Sequence, residues 1–470
     1  MQMQDQWVDF RSRQGAKIRA IANDIKRNGE ALAAELGEDE KTINDVFSGN
    51  ASIEVFDRVI TGMAEIYPVS RVDLQVKRDD TSDGLVLWPP ERALASSRVF
   101  TRENSSGQLT PFYEYRDTAM STVGPYRPEW IKALRVVASD DPEDPDVAYN
   151  NGHLMHQMTF FVGPVNFYWK VGDRAYLAEM STGDSNYITP FVPHSYTSRD
   201  AGQEAYIVAV TFEGRLEHIQ RELALLDPEL VEKEILDLSD RRRACGSILK
   251  RELANCMLSV GQLSERAEIA TGHLEMILNG KDFPTMQELS RLADSLDTNV
   301  RDLLPPDNID SSVVSVKHRS SENPRHFPSE ECPSYRIEAL ATSRKVPFAK
   351  GMAVRVLDGM PESGVVFDLA APAHEYGYNY GHETAVLIWE GRSGNGEAII
   401  QPEGSYYMKP GMPHSLRNLH SDRPSDILVV RVGASFQGDA HIELSNIPPE
   451  ALRRVLSESR QWYNSRSREE

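Results

Sequence analysis

The sequence predicts an α+β chain organised as a tandem repeat, in which a helical module followed by a small β-barrel occurs twice. Three observations carry this. Gly29–Leu74 and Gly261–Leu304 share one helical plan: apolar residues at helical spacing, a glycine (Gly49, Gly280) closing the third helix, and a short final helix. A strand-rich stretch follows each, and "NGHLMHQ" from Asn151 pairs with "YGHETAV" from Tyr380 at the offset that also relates Leu74 to Leu303. Further on, "GDSNYITPFVPHS" ending at Ser195 pairs with "EGSYYMKPGMPHS" ending at Ser415, keeping a serine, a tyrosine and two prolines in one frame. The expected divisions are a helical module over 1–90, a barrel over 91–215, a linker helix and second module over 216–310, a second barrel over 311–447, and a polar tail over 448–470.

Composition narrows the function class. A chain of 470 residues exceeds what one core supports. The start has no apolar leader, and no run reaches the length of a membrane span. Cys245, Cys256 and Cys332 lack metal-type spacing and make no disulfide framework, so a reducing cytoplasm is the expected home. A net charge of −20 argues against a large nucleic-acid footprint.

The helical modules resemble the helix-turn-helix of phage-repressor-like regulators, which makes a ligand-sensing transcriptional regulator the alternative of another class. Their recognition positions speak against it. "TGHLEMILNG" (Thr271–Gly280) has no Lys or Arg and carries Glu275, and "DEKTINDVFSG" sets Lys41 against Asp39, Glu40 and Asp45. Acidic helices repel phosphate. No DNA partner is expected, and the modules are assigned to packing or subunit contact.

The strand-rich segments resemble cupins, double-sheet jelly rolls. In that fold one motif carries glycine and histidine, and a second ends in proline, a spacer and histidine. His153 and His194 in the first half, and His382 and His414 in the second, fall at those places. "YNNGHLMHQMTFFVGPVNFYWK", Tyr149 to Lys170, reads as strand, so His153, Met155 and Gln157 share one face and Leu154 and His156 the other. Met155 stands at the usual second histidine and Thr159 where a carboxylate is common, which leaves His153, Gln157 and His194. Two imidazoles and one oxygen donor on a face is the arrangement of non-haem Fe(II) oxygenases. A neutral glutamine keeps the full charge of the dication, which favours a dianionic chelating substrate such as a phosphonate or phosphate. Glu179 and Asp184 are the rival carboxylates, Asp184 in a turn-like "GDSN". His156 is assigned to structure. In the second barrel Val386 aligns with Gln157 and cannot ligate, so that barrel reads as a retired copy.

These residues resemble the phosphonate oxygenases comprising hydroxyethylphosphonate dioxygenase and methylphosphonate synthase. The resemblance spans nearly the whole chain and includes "NNGH", the histidine of "PFVPHS" and the "YEYRDTA" segment. It implies Fe(II)- and O2-dependent cleavage of the carbon–carbon bond of 2-hydroxyethylphosphonate without external reductant. The dioxygenase branch has a glutamate at the place of Ile188, and the synthase branch a glutamine at the place of Gln157. The expectation is therefore the synthase, with methylphosphonate and carbon dioxide or bicarbonate as products. The alternative is the dioxygenase, with hydroxymethylphosphonate and formate. The resemblance further implies that Asn150, Arg116 and Tyr126 bind the phosphonate and that Lys26 reaches in from a neighbouring subunit of a homo-oligomer; Ile188, bulky and apolar, is expected to shape the pocket beside the metal.

Overall fold

The computed structural model describes residues 2–455 except 215, 237, 239, 307–312, 320–323, 361–365, 392–393, 421 and 434–438. It is a mixed helix-and-sheet fold. The polar tail begins as a helical turn at Leu452–Val455, and the rest of it lies outside the described residues.

Short polar residues start the helices. In the first cluster, Asn28, Asp39, Ser52 and Ser70 each accept a backbone N–H at the head of the next helix. Ser259 and Thr285 do the same through full capping boxes in the second. Gly49 and Gly280 both take positive φ after the third helix of their cluster, 77° and 66°. A Cβ there would strike the backbone of Ser12 or Arg243, so each glycine also lets a helix end dock on the cluster's first helix. Leu32, Ile43, Phe56 and Ile60 anchor one helical core, and Leu249, Leu274, Leu289 and Leu292 the other.

The described strands form two seven-stranded and two three-stranded sheets. The first large sheet runs Val314–Lys317, Ser185–Ile188, His156–Val162, Tyr206–Phe212, Tyr126–Ala133, Leu109–Asp117, Arg98–Glu103. Arg174–Met180, Val165–Val171 and His194–Ser198 face it. The second large sheet runs Leu85–Trp88, Ser405–Met408, Ala373–Asn379, Asp426–Gly433, Ala349–Val356, Tyr335–Ala339, Arg325–Phe327, faced by Gly394–Ile400, Ala385–Gly391 and His414–Asn418. Each large sheet takes an edge strand from the segment preceding the other barrel: Leu85–Trp88 pairs with Ser405–Met408, and Val314–Lys317 with Ser185–Ile188. The exchange covers two edges with backbone partners and ties the halves together.

Alternation along His156–Val162 divides its side chains between two cores. Met158 and Phe160 enter the layer between the barrels with Trp130, Tyr376 and Tyr407, while Phe161 enters the first barrel with Ile188, Phe167 and Tyr196. Gln157 and Thr159 share the parity of Phe161 and so point into that barrel. The single strand expected over Tyr149–Lys170 is corrected here. Strand begins only at His156, residues 149–155 are irregular, and Gly163 and Pro164 turn the chain into Val165–Val171. Gly152 explains the break, since its φ of 74° is incompatible with a strand.

Candidate metal centre

His153 therefore reaches the barrel from a loop. A Cβ on Gly152 would come within 2.5 Å of the Phe191 backbone, so glycine lets this loop lie against the Phe191–Val192 turn. There the Phe191 N–H donates to the His153 carbonyl at 2.9 Å. His194 opens the strand that follows that turn. The Asn150 side-chain oxygen accepts the backbone N–H groups of Gly152 and His194, at 2.9 and 3.0 Å. One carboxamide thus pins both histidine-bearing segments.

The imidazoles meet edge to face with centroids 5.4 Å apart. His153 Nδ1 lies 2.8 Å from the Met155 carbonyl oxygen and His194 Nδ1 2.8 Å from that of Val192. A carbonyl oxygen only accepts, so both Nδ1 atoms carry a proton, and in the neutral ring each Nε2 presents a lone pair. Burial pushes His194 down to about 4, which keeps its ring neutral near pH 7. Gln157 is fixed just as firmly. Its Nε2 donates to Thr159 Oγ1 and to the Tyr196 hydroxyl, both at 2.9 Å, which turns Oε1 toward His153 Nε2 at 3.0 Å. With the ring neutral, two acceptors face each other there. Two donors held at right angles about 2.1 Å from one ion lie about 3.0 Å apart, so this separation fits neighbouring ligands of an octahedral divalent ion. At His194 Nε2, the Asn150 amide donates at 3.0 Å, marking the side on which an incoming group must displace it.

Ile188 is fully buried and sits directly across the strand pair from Gln157. The rival carboxylates are elsewhere. Glu179 is exposed on the facing sheet, paired in register with Asn166. Asp184 accepts from the backbone N–H groups of Ser181 and Arg319 and pairs with His318. His156 points away from Gln157, bonds the Tyr187 hydroxyl at 2.7 Å and stacks on Phe212. Among the described residues no three His, Cys, Asp or Glu converge on a common point, and the two-imidazole, one-amide set is the candidate donor group.

Two of the expected substrate contacts, Arg116 and Tyr126, lie away from the centre. Arg116 is the cross-strand neighbour of Trp130, lies 4.0 Å over its ring, and bonds Glu114 and Glu403; it belongs to the layer between the barrels. Tyr126 is there too, ring against Tyr376 and Tyr407. Lys26 lies in the turn after the first helix, its ammonium on the Asp24 carbonyl at 3.1 Å. The inward face carries another set. Arg98 is the cross-strand neighbour of Tyr115 and pairs with Asp117 at 2.8 Å and Glu129 at 3.5 Å. Burial raises Glu129 above the usual carboxylate range against the pull of Arg98, and it also feels His153, so this cluster adjoins the centre. Burial and Glu129 push Tyr115 up to about 12. Arg116 was one residue out of phase, and the parity of "FYEYRD" is the signal that finds Tyr115.

The alignment of the halves is also corrected. Gln157 opposes Ile188 and Thr211, while in the second barrel Glu375 opposes Met408 and Arg431. Glu375, not Val386, is therefore the counterpart of Gln157. Val386 lies on the next strand, and His382 sits in the turn before it. Phe191 bonds back to His153 as Gly411 does to Ala371, so alanine replaces the first histidine. His414 does match His194, each pairing across strands with a tryptophan.

No protein-family model matches the chain. It is 35% identical over 465 residues to methylphosphonate synthase of Nitrosopumilus maritimus, covering 97% of this chain and 98% of that protein. A solved structure of Streptomyces albus HEPD, with substrate 2-hydroxyethylphosphonate and Fe(II) bound, superposes with a TM-score of 0.86 at 34% identity, over 97% of this chain and 99% of that one. A hydroxyethylphosphonate dioxygenase variant at 22% identity and a TM-score of 0.71 shares the fold over 94% of this chain and 98% of its own.

Proposed function

The chain belongs to the family of methylphosphonate synthase, and from that premise we propose that it cleaves the carbon–carbon bond of 2-hydroxyethylphosphonate, consuming one O2 and releasing methylphosphonate and bicarbonate. The observation that carries the reading is Gln157 in the donor position, held by Tyr196 and Thr159, with apolar Ile188 across from it. His153, Gln157 and His194 would hold the metal. Fe(II), when bound there, supplies activation of O2 and a Lewis-acid anchor for substrate oxygens. All three donors are neutral, so the dication's charge is left for the phosphonate dianion to balance.

The remaining roles belong to the protein. Arg98 offers a guanidinium fork to the phosphonate, whose charge releases it from Asp117 and Glu129. Asn150, at the mouth, exchanges its bond to His194 Nε2 for one to the same dianion. Tyr115 offers a hydroxyl, and its high pKa keeps that group a donor. Ile188 and Phe161 wall the inner end and exclude water.

The second reading is the dioxygenase, favoured by the close superposition on Streptomyces albus HEPD; its products would be hydroxymethylphosphonate and formate. We read the architecture as the tandem repeat of helix-turn-helix-like module and cupin barrel, divided as above, in a cytoplasmic homo-oligomer where Lys26 of one subunit serves another. No described helix is long and apolar enough to cross a membrane. The test is to incubate iron-loaded protein with 2-hydroxyethylphosphonate in air and record the phosphorus spectrum. Methylphosphonate supports the proposal and hydroxymethylphosphonate the second reading. Unchanged substrate together with tight binding to duplex DNA would return the regulator.

A further inference from the structure

The second barrel holds, where the first has its neutral donors, an unbalanced charge. His414 Nδ1 lies 2.9 Å from the Met412 carbonyl oxygen, and its Nε2 lies 3.0 Å from Glu375 Oε1. The carbonyl accepts from Nδ1, and the Glu375 carboxylate, unlike the neutral amide that faces His153, draws a second proton to Nε2, so the ring is an imidazolium. Glu375 accepts also from the Tyr406 hydroxyl at 2.9 Å and from Arg431 Nε at 2.6 Å. His414 and Glu375 are each 2% exposed. Two cations thus share one carboxylate inside the barrel. A surplus charge in so dry a place is costly unless something answers it.

Beside Arg431 lies a cavity of about 190 Å³, walled by Ile337, Met352, Val354 and Val429 and reached by Arg325. That is ample room for more than water. Register identifies its arginine. Arg325 opposes Ile337 as Arg98 opposes Tyr115, so the two arginines hold the same place in the two barrels. The acidic partners of Arg98 are gone, however. By the same register Ala339 stands for Asp117 and Met352 for Glu129. The second barrel has kept the cation, removed the carboxylates that neutralise it, and lined the rest with hydrocarbon.

We propose that the second barrel is a metal-free binding site for a small organic anion with an aliphatic body, its carboxylate received by Arg431 and Arg325 and its chain by Met352, Val354 and Val429. The site stands apart from the chemistry of the first barrel and does not depend on it. Among the described residues no hydrogen bond occupies the terminal nitrogens of Arg431, which leaves them for the anion.

The probe is sodium hexanoate, titrated into the full-length chain carrying methyl-¹³C methionine, with the Met352 signal identified by Met352→Leu. The expected result is a saturable shift of the Met352 methyl, with affinity about tenfold weaker in Arg325→Gln, whose exposed position at the mouth leaves the fold intact. A stationary Met352 signal, movement of Met155 at the first barrel alone, or equal affinity in Arg325→Gln would overturn the site. A response to inorganic phosphate as strong as that to hexanoate would overturn the aliphatic body.

Discussion

His153 Nε2 and Gln157 Oε1 lie 3.0 Å apart, two acceptors face to face when the ring is neutral. Backbone carbonyls hold the imidazole tautomers, and two hydroxyls hold the glutamine amide. Lone pairs so constrained repel each other until a cation enters. The arrangement suits a divalent ion, which would relieve that repulsion.

The first prediction follows from the Tyr196 hydroxyl. Tyr196→Phe removes one of the two acceptors that aim the Gln157 amide, and Fe(II) affinity should fall about 10- to 100-fold, the usual cost of losing an outer partner. Gln157→Leu should abolish the site. Anaerobic Fe(II) titration, or Co(II) with its visible spectrum, reads both. An unchanged affinity in Gln157→Leu would remove the glutamine from the donor set.

A second prediction concerns Ile188, which faces Gln157 across the strand pair and is fully buried. Ile188→Glu places a carboxylate in an apolar wall beside the metal. Without metal the folded state should lose several kcal/mol, since a lone buried charge is costly. Fe(II) should restore much of that, because the carboxylate then ligates. Thermal unfolding with and without Fe(II) measures the difference. A loss that metal does not reduce would show that residue 188 does not reach the ion.

Much of this was legible in the sequence, and each departure has its own physical cause. His194 announced itself through "PFVPHS", because that motif is contiguous and shared with "PGMPHS". Gln157 was legible through parity, since Phe161 and Thr159 share its face. His153 was placed by motif, although the strand that seemed to present it does not begin until His156. Arg116 and Tyr126 lie off the inward face because a one-residue change of phase sends a side chain to the other face of a sheet, and only paired register reveals which face is inward. Glu375 is hidden because the turn at Gly381–Thr384 is two residues longer than its counterpart Gly163–Pro164, so no single offset aligns the halves. The exchanged edge strands left no trace at all: pairing between distant segments is not written in local pattern.

Two arginines one strand apart separate the structural reading from the motif reading. Arg98→Ala should raise KM for 2-hydroxyethylphosphonate at least tenfold, removing a charge-assisted contact worth roughly 1.5–3 kcal/mol. Arg116→Ala should leave KM nearly unchanged and lower stability instead, by loosening Trp130 and Glu403 between the barrels. Steady-state kinetics beside thermal melts sorts the two. The opposite pattern would mean that Arg116 turns inward when substrate arrives.

The second barrel supplies a stability test with a defined sign. Burial alone would raise Glu375, but the charges of His414 and Arg431 outweigh it and hold the carboxylate well below its usual range. Burial likewise works against the His414 imidazolium, and Glu375 overcomes it, so its folded pKa lies above the unfolded value. The His414 contribution is therefore complete below about pH 6.5, its unfolded value, and is lost as pH rises through the folded one. The Glu375 contribution is present above about pH 4.3 and is lost only as pH falls through its depressed folded value. Between pH 6 and pH 9 the wild-type chain should lose stability through His414. Glu375→Gln should cost about 3–5 kcal/mol at pH 6, because it strands two buried cations, and should flatten the decline toward pH 9. Urea unfolding at the two pH values decides: a Glu375→Gln chain as stable as wild type at pH 6, or with the same alkaline decline, would mean that the His414 charge is not held by Glu375.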